Sequence, residues 1–160
     1  MEYKVQLEQV VHGRPLAVVR LRARKDELSK VVPNACGRVW NALRARQAKG
    51  AGRHVALYLD CEINLEVGVE MDAPYQGDGE VVGSSLPAGL IAGTVHLGPY
   101  QKLHEAHSAV HDWCTRHGHD LAGPNWEIYG HWVDEWNRAP SKIRTDVFYL
   151  VKASSAGADR

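Results

Sequence analysis

The same succession of patterns runs through this chain twice: strand, strand, helix, strand, strand. In the first half, residues 2–11 alternate. Tyr3, Val5, Leu7 and Gln9 share one face and Lys4, Gln6, Glu8 and Val10 the other, a period of two that predicts a strand. His12-Gly13 reads as a tight turn, and RPLAVVRLRAR at 14–24 as a second strand. Pro33 suits the first position of a helix. Ala35, Val39, Ala42 and Leu43 then recur at helical spacing up to about Gln47, where KGAGR ends the helix. Residues 54–60 and 63–71 read as two further strands, followed by a loop over 73–80.

In the second half, residues 80–86 and 89–97 are strand-like. Gly98-Pro99 opens a helix running to about His117, with Leu103, Ala106, Val110 and Trp113 on one face. NWEIYGHW at 125–132 and TDVFYLVK at 145–152 are strands on either side of a Trp-rich loop, and the tail 153–160 is expected to fray. Aligning the halves sets RPLAVVRL against GLIAGTVHL and HVALYLD against NWEIYGHW, so that Ala56 matches Glu127 and Tyr58 matches Tyr129. A duplication of about 75 residues implies two similar modules. The predicted fold class is α+β: tandem modules, a mostly antiparallel sheet, two helices across it and a groove between them, a default place for a ligand.

Composition narrows the function. Nineteen Lys plus Arg balance nineteen Asp plus Glu in 160 residues. That balance argues against a nucleic-acid partner, which needs a basic face. No segment approaches the ~18 apolar residues that cross a bilayer, and the start MEYKVQLEQVV lacks the pattern of a signal peptide. No membrane association is expected. Cys36, Cys61 and Cys114 have no CxxC spacing, which suggests reduced thiols and a cytoplasmic location. No Walker loop, GxGxxG or GxSxG is present, and neither a cofactor nor a metal is predicted.

The second half carries more specific features. A small, glycine-flanked strand is followed by Gly98-Pro99-Tyr100 at a helix start. Trp113 comes late in that helix, Glu127-Ile128-Tyr129 lies on the next strand, and Thr145 opens the last one. These elements, in this order, resemble the GyrI-like effector-binding domain family over about residues 2–152. The resemblance implies strand-helix-strand-strand modules, one over about 2–72 and one over about 79–152, with a ligand pocket between them. Such domains form the drug-sensing part of some AraC-type and MerR-type regulators. They also occur alone, as gyrase inhibitors, as binders of cationic lipophilic drugs and as hydrolases of cyclopropane-bearing genotoxins. In the regulators the Glu of the Glu-x-Tyr strand pairs with cationic ligands, which here implies Glu127. With strands beginning at residue 2, a helix-turn-helix segment is not expected.

Alternation puts Glu127, Tyr129 and His131 on one face of their strand and Trp126, Ile128 and Trp132 on the other. A carboxylate on a mainly apolar strand is costly unless paired. The resemblance makes it a pocket residue that meets a cation between aromatic walls. Tyr58 and Tyr129 match one another and point toward the groove. Trp40, at the edge of the first helix, is a candidate wall, whereas Trp113 falls near the apolar face of the second. Tyr100 closes one end of the groove, and Trp132 and Trp136 flank a loop that can act as a lid. His104, His107 and His111 cluster on one side of the second helix. HEAHSAVH is not HExxH, so they read as a hydrated flank or pocket rim. The related haem-binding SOUL proteins share the module type, but nothing argues for an axial ligand here.

Three functions compete. The preferred one is a stand-alone module binding a lipophilic, cationic or polyaromatic small molecule, with Glu127 as the charge. The alternative is an enzyme, a cyclopropanoid hydrolase in which Glu127 orients or deprotonates water. Binding is preferred because one carboxylate among aromatics lacks a second clear catalytic partner. A gyrase-inhibitor-like interaction module ranks below both, because the chain is charge-neutral and has Arg-rich stretches at 20–24 and 44–53. Those stretches can support a protein partner or a homo-oligomer contact.

Overall fold

Alternating side chains and two amphipathic helices build an α+β protein in which each helix covers an antiparallel sheet. The computed structural model describes residues 3–60, 64–77 and 79–153. The expected positions of Cys61 and of the tail beyond Ala153 lie outside the described residues.

The chain divides into two compact units, one formed by residues 12–87 and the other by residues up to 11 together with those from 88 onward. In the first, β2 (Pro15–Arg22) leads into α1 (Leu28–Ala45) and then β3 (Ala51–Tyr58), β4 (Asn64–Met71) and β5 (Val81–Ser85), with sheet order β3-β4-β2-β5. In the second, β1 (Gln6–Val10) joins β6 (Gly89–Leu97), α2 (Leu103–Arg116), β7 (Leu121–Tyr129) and β8 (Arg144–Val151), with sheet order β7-β8-β6-β1. Short helical turns precede α1 at Lys25–Glu27 and α2 at Tyr100–Lys102. The Trp-rich loop contains α3 (Glu135–Arg138) and a turn at Pro140–Lys142.

Three expectations change here. The units are not residues 2–72 and 79–152, because β1 pairs with β6 and β5 pairs with β2. A period of two identifies a strand but not the strand it pairs with. His12-Gly13 is accordingly no hairpin turn. Gly13 instead lets the chain pass close to β5's end, where Leu86 N donates to Arg14 O at 2.9 Å and a Cβ on Gly13 would lie 1.7 Å from the Leu86 carbonyl. Helix α1 also begins before Pro33, which sits inside it. Proline removes one backbone donor from the second turn. Ala35 is buried and Val39 and Leu43 pack against β2 and β4, and tertiary packing of that face sustains the helix.

In the second unit, α2 buries Leu103, Ala106, Val110 and Cys114 against Ala92 of β6 and Val147, Tyr149 and Val151 of β8. Each large side chain buried in this cluster supplies about 1.5–3 kcal/mol. Antiparallel register then fixes what shares this helix-covered face. Thr94 and Glu127 both stand opposite Val147, and His96 and Tyr129 both stand opposite Thr145. No helix of the described residues is long and apolar enough to cross a membrane.

Candidate functional site

Strand β7 presents Glu127 and Tyr129 to the same side, two residues apart. The Glu127 residue is 7% exposed, and its carboxylate is met from two directions. The Tyr129 hydroxyl donates to Oε1 at 2.5 Å, and His107 Nε2 lies 2.6 Å from Oε2. A carboxylate only accepts, so Nε2 carries the hydrogen. The other ring nitrogen, Nδ1, lies 2.6 Å from the Tyr149 hydroxyl on β8. A continuous chain of polar contacts thus runs Tyr149, His107, Glu127, Tyr129, entirely within one unit.

Aromatic rings enclose this chain. The Tyr100 ring stands edge-on to Tyr129, with centroids 6.0 Å apart, and His111 stands edge-on to Tyr149 at 4.8 Å. Burial lowers the pKa of the His111 imidazole, and the neighbouring His107 lowers it further against the opposing pull of Asp112. At the inner end of the same face, His96 is buried between the Tyr3 hydroxyl at 2.8 Å and the Pro99 carbonyl at 3.0 Å. Next to it, Thr145 is fully buried, and its hydroxyl has no hydrogen-bond partner.

Glu127, Tyr129 and Tyr100 therefore stand together. The other aromatic candidates have different surroundings. Trp113 is stacked between His117, at 4.1 Å, and His119, at 5.7 Å. It lines an open groove of about 470 Å³ along the flank of α2 with Tyr3, Val5 and Ala109. Trp132 is half exposed, lies edge-on to Trp136 at 5.3 Å and donates from Nε1 to Asn137. In the other unit, Trp40 lies exposed on α1 beside His54 and beneath the Arg44 guanidinium, and Tyr58 is half-buried at the end of β3. His131 is exposed beyond the end of β7.

Of the helix histidines, His104 caps the Gln101 carbonyl at 3.1 Å and His111 packs on Tyr149, so only His107 reaches the carboxylate. Of the two expected places, a hydrated flank or a pocket rim, His107 does not take the hydrated flank, since it faces the sheet and meets Glu127. Among the described residues, no group of three or more His, Cys, Asp or Glu is arranged to hold a metal. Tyr149 was absent from the sequence candidates. Its signal is the alternation of Thr145, Val147, Tyr149 and Val151, which places it on the face that α2 covers.

The sequence matches no family model and no curated protein. Solved structures match the fold over nearly the whole chain. The EcmrR C-terminal domain aligns with a TM-score of 0.77 at 19% identity, covering 96% of this chain and 100% of that one. SAV2435, in a structure bound to tetraphenylphosphonium, aligns with a TM-score of 0.63 at 13% identity over 96% of this chain and 95% of that one. A hydrolase from Listeria innocua aligns with a TM-score of 0.58 at 11% identity over 93% and 92%. The fold is that of the GyrI-like effector-binding domains, as the sequence resemblance implies.

Proposed function

We propose that this chain is a small-molecule-binding domain that captures lipophilic cations, with Glu127 supplying the charge. The observation that carries this reading is a buried carboxylate held on a mainly apolar strand by the Tyr129 hydroxyl and the His107 imidazole. The Glu127 carboxylate offers a negative group to a cation, and the rings of Tyr100 and Tyr129 add attraction of about 0.5–2 kcal/mol each. SAV2435, which shares the fold, was solved with a lipophilic cation bound. Tetraphenylphosphonium is therefore the natural first probe.

Tryptophan-fluorescence titration at mildly alkaline pH tests the reading. Saturable quenching by tetraphenylphosphonium is expected, weakened about 10- to 100-fold by Glu127→Gln, since interactions with a charged group contribute about 1.5–3 kcal/mol. Equal affinity in the variant would remove the charge role.

A second reading rests on one specific contact. His107, 2.6 Å from Glu127, is the second acid–base group that the sequence alone did not reveal. In a hydrolase of strained, electrophilic small molecules, the oxygen of water bonds the electrophilic carbon and its proton passes to Glu127. The carbon–carbon bond of the ring breaks, the departing carbon receives a proton from His107 in its imidazolium form, and Glu127 returns the water proton to His107 across their contact, which restores both groups. Mass spectrometry of each bound compound separates the readings. Binding returns the compound unchanged, and hydrolysis returns it heavier by one water.

A further inference from the structure

We infer that the unit of residues 12–87 carries a binding site of its own, a groove between the end of β2 and the flank of α1 that takes a single-chain anionic amphiphile, a compact anionic head on an alkyl tail. All of its lining residues belong to that unit, so the inference does not depend on Glu127.

The groove has a volume of about 380 Å³ and is lined by Leu21 and Arg22 of β2 and by Lys30, Val31, Asn34 and Arg38 of α1. That size lies within the range of small-molecule sites. Lys30, Asn34 and Arg38 recur every four residues, so they form one stripe along the helix. Leu21 and Val31 are half-buried and give the groove an apolar wall. Leu21 also packs against the core cluster that contains Val39 and Leu43, which holds this wall in place. The rest of the lining is three cations and one amide, with no carboxylate among the lining residues.

Neighbouring acids are engaged elsewhere. Within the Arg-rich stretch 20–24, Arg20 Nε donates to Glu66 Oε2 at 2.9 Å, and Arg24 Nε lies 3.6 Å from both Asp26 and Glu27. Arg22, between them, and Lys30 meet no carboxylate of the described residues. Arg38 Nε donates to Glu80 at 2.6 Å, but both side chains are exposed, and an exposed pair contributes little, so a ligand head can take the place of Glu80. The three cations line a concave groove with an apolar wall in a chain of zero net charge, which is unlike the extended basic face that a nucleic acid needs. The other unit supplies a contrast. Asn34 precedes the buried Ala35 as Glu105 precedes the buried Ala106, and Arg38 and Ala109 each follow three residues after those alanines. The flank of α2 carries Glu105 and Asp112 together with Arg116, so the shared framework does not call for a run of cations at this place.

Calorimetric titration with decanoate below its micellar range, beside decanol and acetate at low salt, tests the inference. Decanoate is expected to saturate one site and to bind more tightly than either comparison compound. Affinity should fall about fourfold for each methylene removed along the apolar wall. Arg22→Gln and Lys30→Gln should each weaken decanoate about two- to fivefold, and Glu80→Gln should strengthen it by a similar factor because it releases Arg38. A gain of affinity cannot come from misfolding, so that variant keeps the test sound. Glu127→Gln should leave decanoate unaffected. Decanol binding as tightly as decanoate, an unchanged decanoate affinity in the Arg22→Gln and Lys30→Gln double variant, or no decanoate binding overturns the inference. Binding to vesicles of phosphatidylcholine and phosphatidylglycerol without binding of free decanoate also overturns it and assigns the cations to a membrane surface. None of these outcomes bears on the Glu127 reading, which tetraphenylphosphonium tests separately.

Discussion

Where residues 12–87 bury Ala56, the other unit buries Glu127, and similar replacements recur at several further places on the helix-covered face. By register, Leu21, Leu65 and Val69 in the first unit occupy the places of His96, Thr145 and Tyr149 in the second. Val19 stands where Thr94 stands, and Cys36 where His107 stands. Strands, helix and register are shared, so the framework does not require the polar residues. One unit uses the arrangement as an ordinary core, and the other carries a buried acid, two imidazoles and an unpartnered hydroxyl on the same arrangement. Departures of this kind from the locally favourable choice are expected where function is located.

The contrast can be broken most severely from the apolar side. Leu43→Ala in α1 should cost about 2–5 kcal/mol of stability by opening a cavity. It should leave tetraphenylphosphonium affinity unchanged in the folded protein, which denaturant unfolding and titration on the same sample would check. A loss of affinity without a loss of stability would mean that the apolar unit is not merely a framework.

Transplanting the apolar solution is the next largest change. Glu127→Ala alone leaves His107 Nε2 and the Tyr129 hydroxyl without their acceptor, whereas His107→Cys with Glu127→Ala removes both members of the pair. A double-mutant cycle should give a coupling of about 0.5–3 kcal/mol, because the two residues are in direct contact. Neither variant should bind the cation. Additive effects on stability would show that the contact is energetically silent.

Thr145→Val should raise stability by about 1 kcal/mol, since a fully buried hydroxyl without a partner carries an uncompensated desolvation cost. The apolar unit already has Leu65 there. A drop in the unfolding midpoint would mean that the hydroxyl has a partner in solution.

The smallest effect concerns acid. Burial alone would raise the pKa of Glu70, but hydrogen bonds from Arg53 and the charges of Arg53 and Arg14 hold it below the ordinary 4.5. A depressed folded-state pKa stabilises the protein at pH values above the unfolded one, and that contribution fades as pH falls through the lower folded value. Glu70→Gln should therefore flatten the acid limb of the stability profile below about pH 4.5, as read by chemical unfolding at several pH values. An unchanged limb would assign it to other carboxylates.

The sequence made the framework legible because alternation and helical spacing are local signals. β6 falls on its expected residues, and α2 and β8 lie within a few residues of theirs. Pairing was not legible, since nothing in the residues at 6–10 states that they join β6 rather than β2. Pro33 misled for a physical reason: it favours a first turn, but packing of Val39 and Leu43 sustains a helix through it. In the candidate site, the shared face of Glu127 and Tyr129 was readable from strand alternation, whereas a pocket role for Glu127 came only from the family resemblance. His107 was not readable, because its role depends on a contact 20 residues away in the chain. The three helix histidines look alike in sequence and separate only when the sheet selects one of them.

The central claim, that the polar face of the second unit binds lipophilic cations through Glu127, is tested most directly by calorimetric titration of tetraphenylphosphonium into the unaltered protein and into Glu127→Gln at mildly alkaline pH, with folding of both confirmed. The account predicts a single saturating site whose affinity falls about tenfold or more in the variant. Matching isotherms for the two proteins would contradict it.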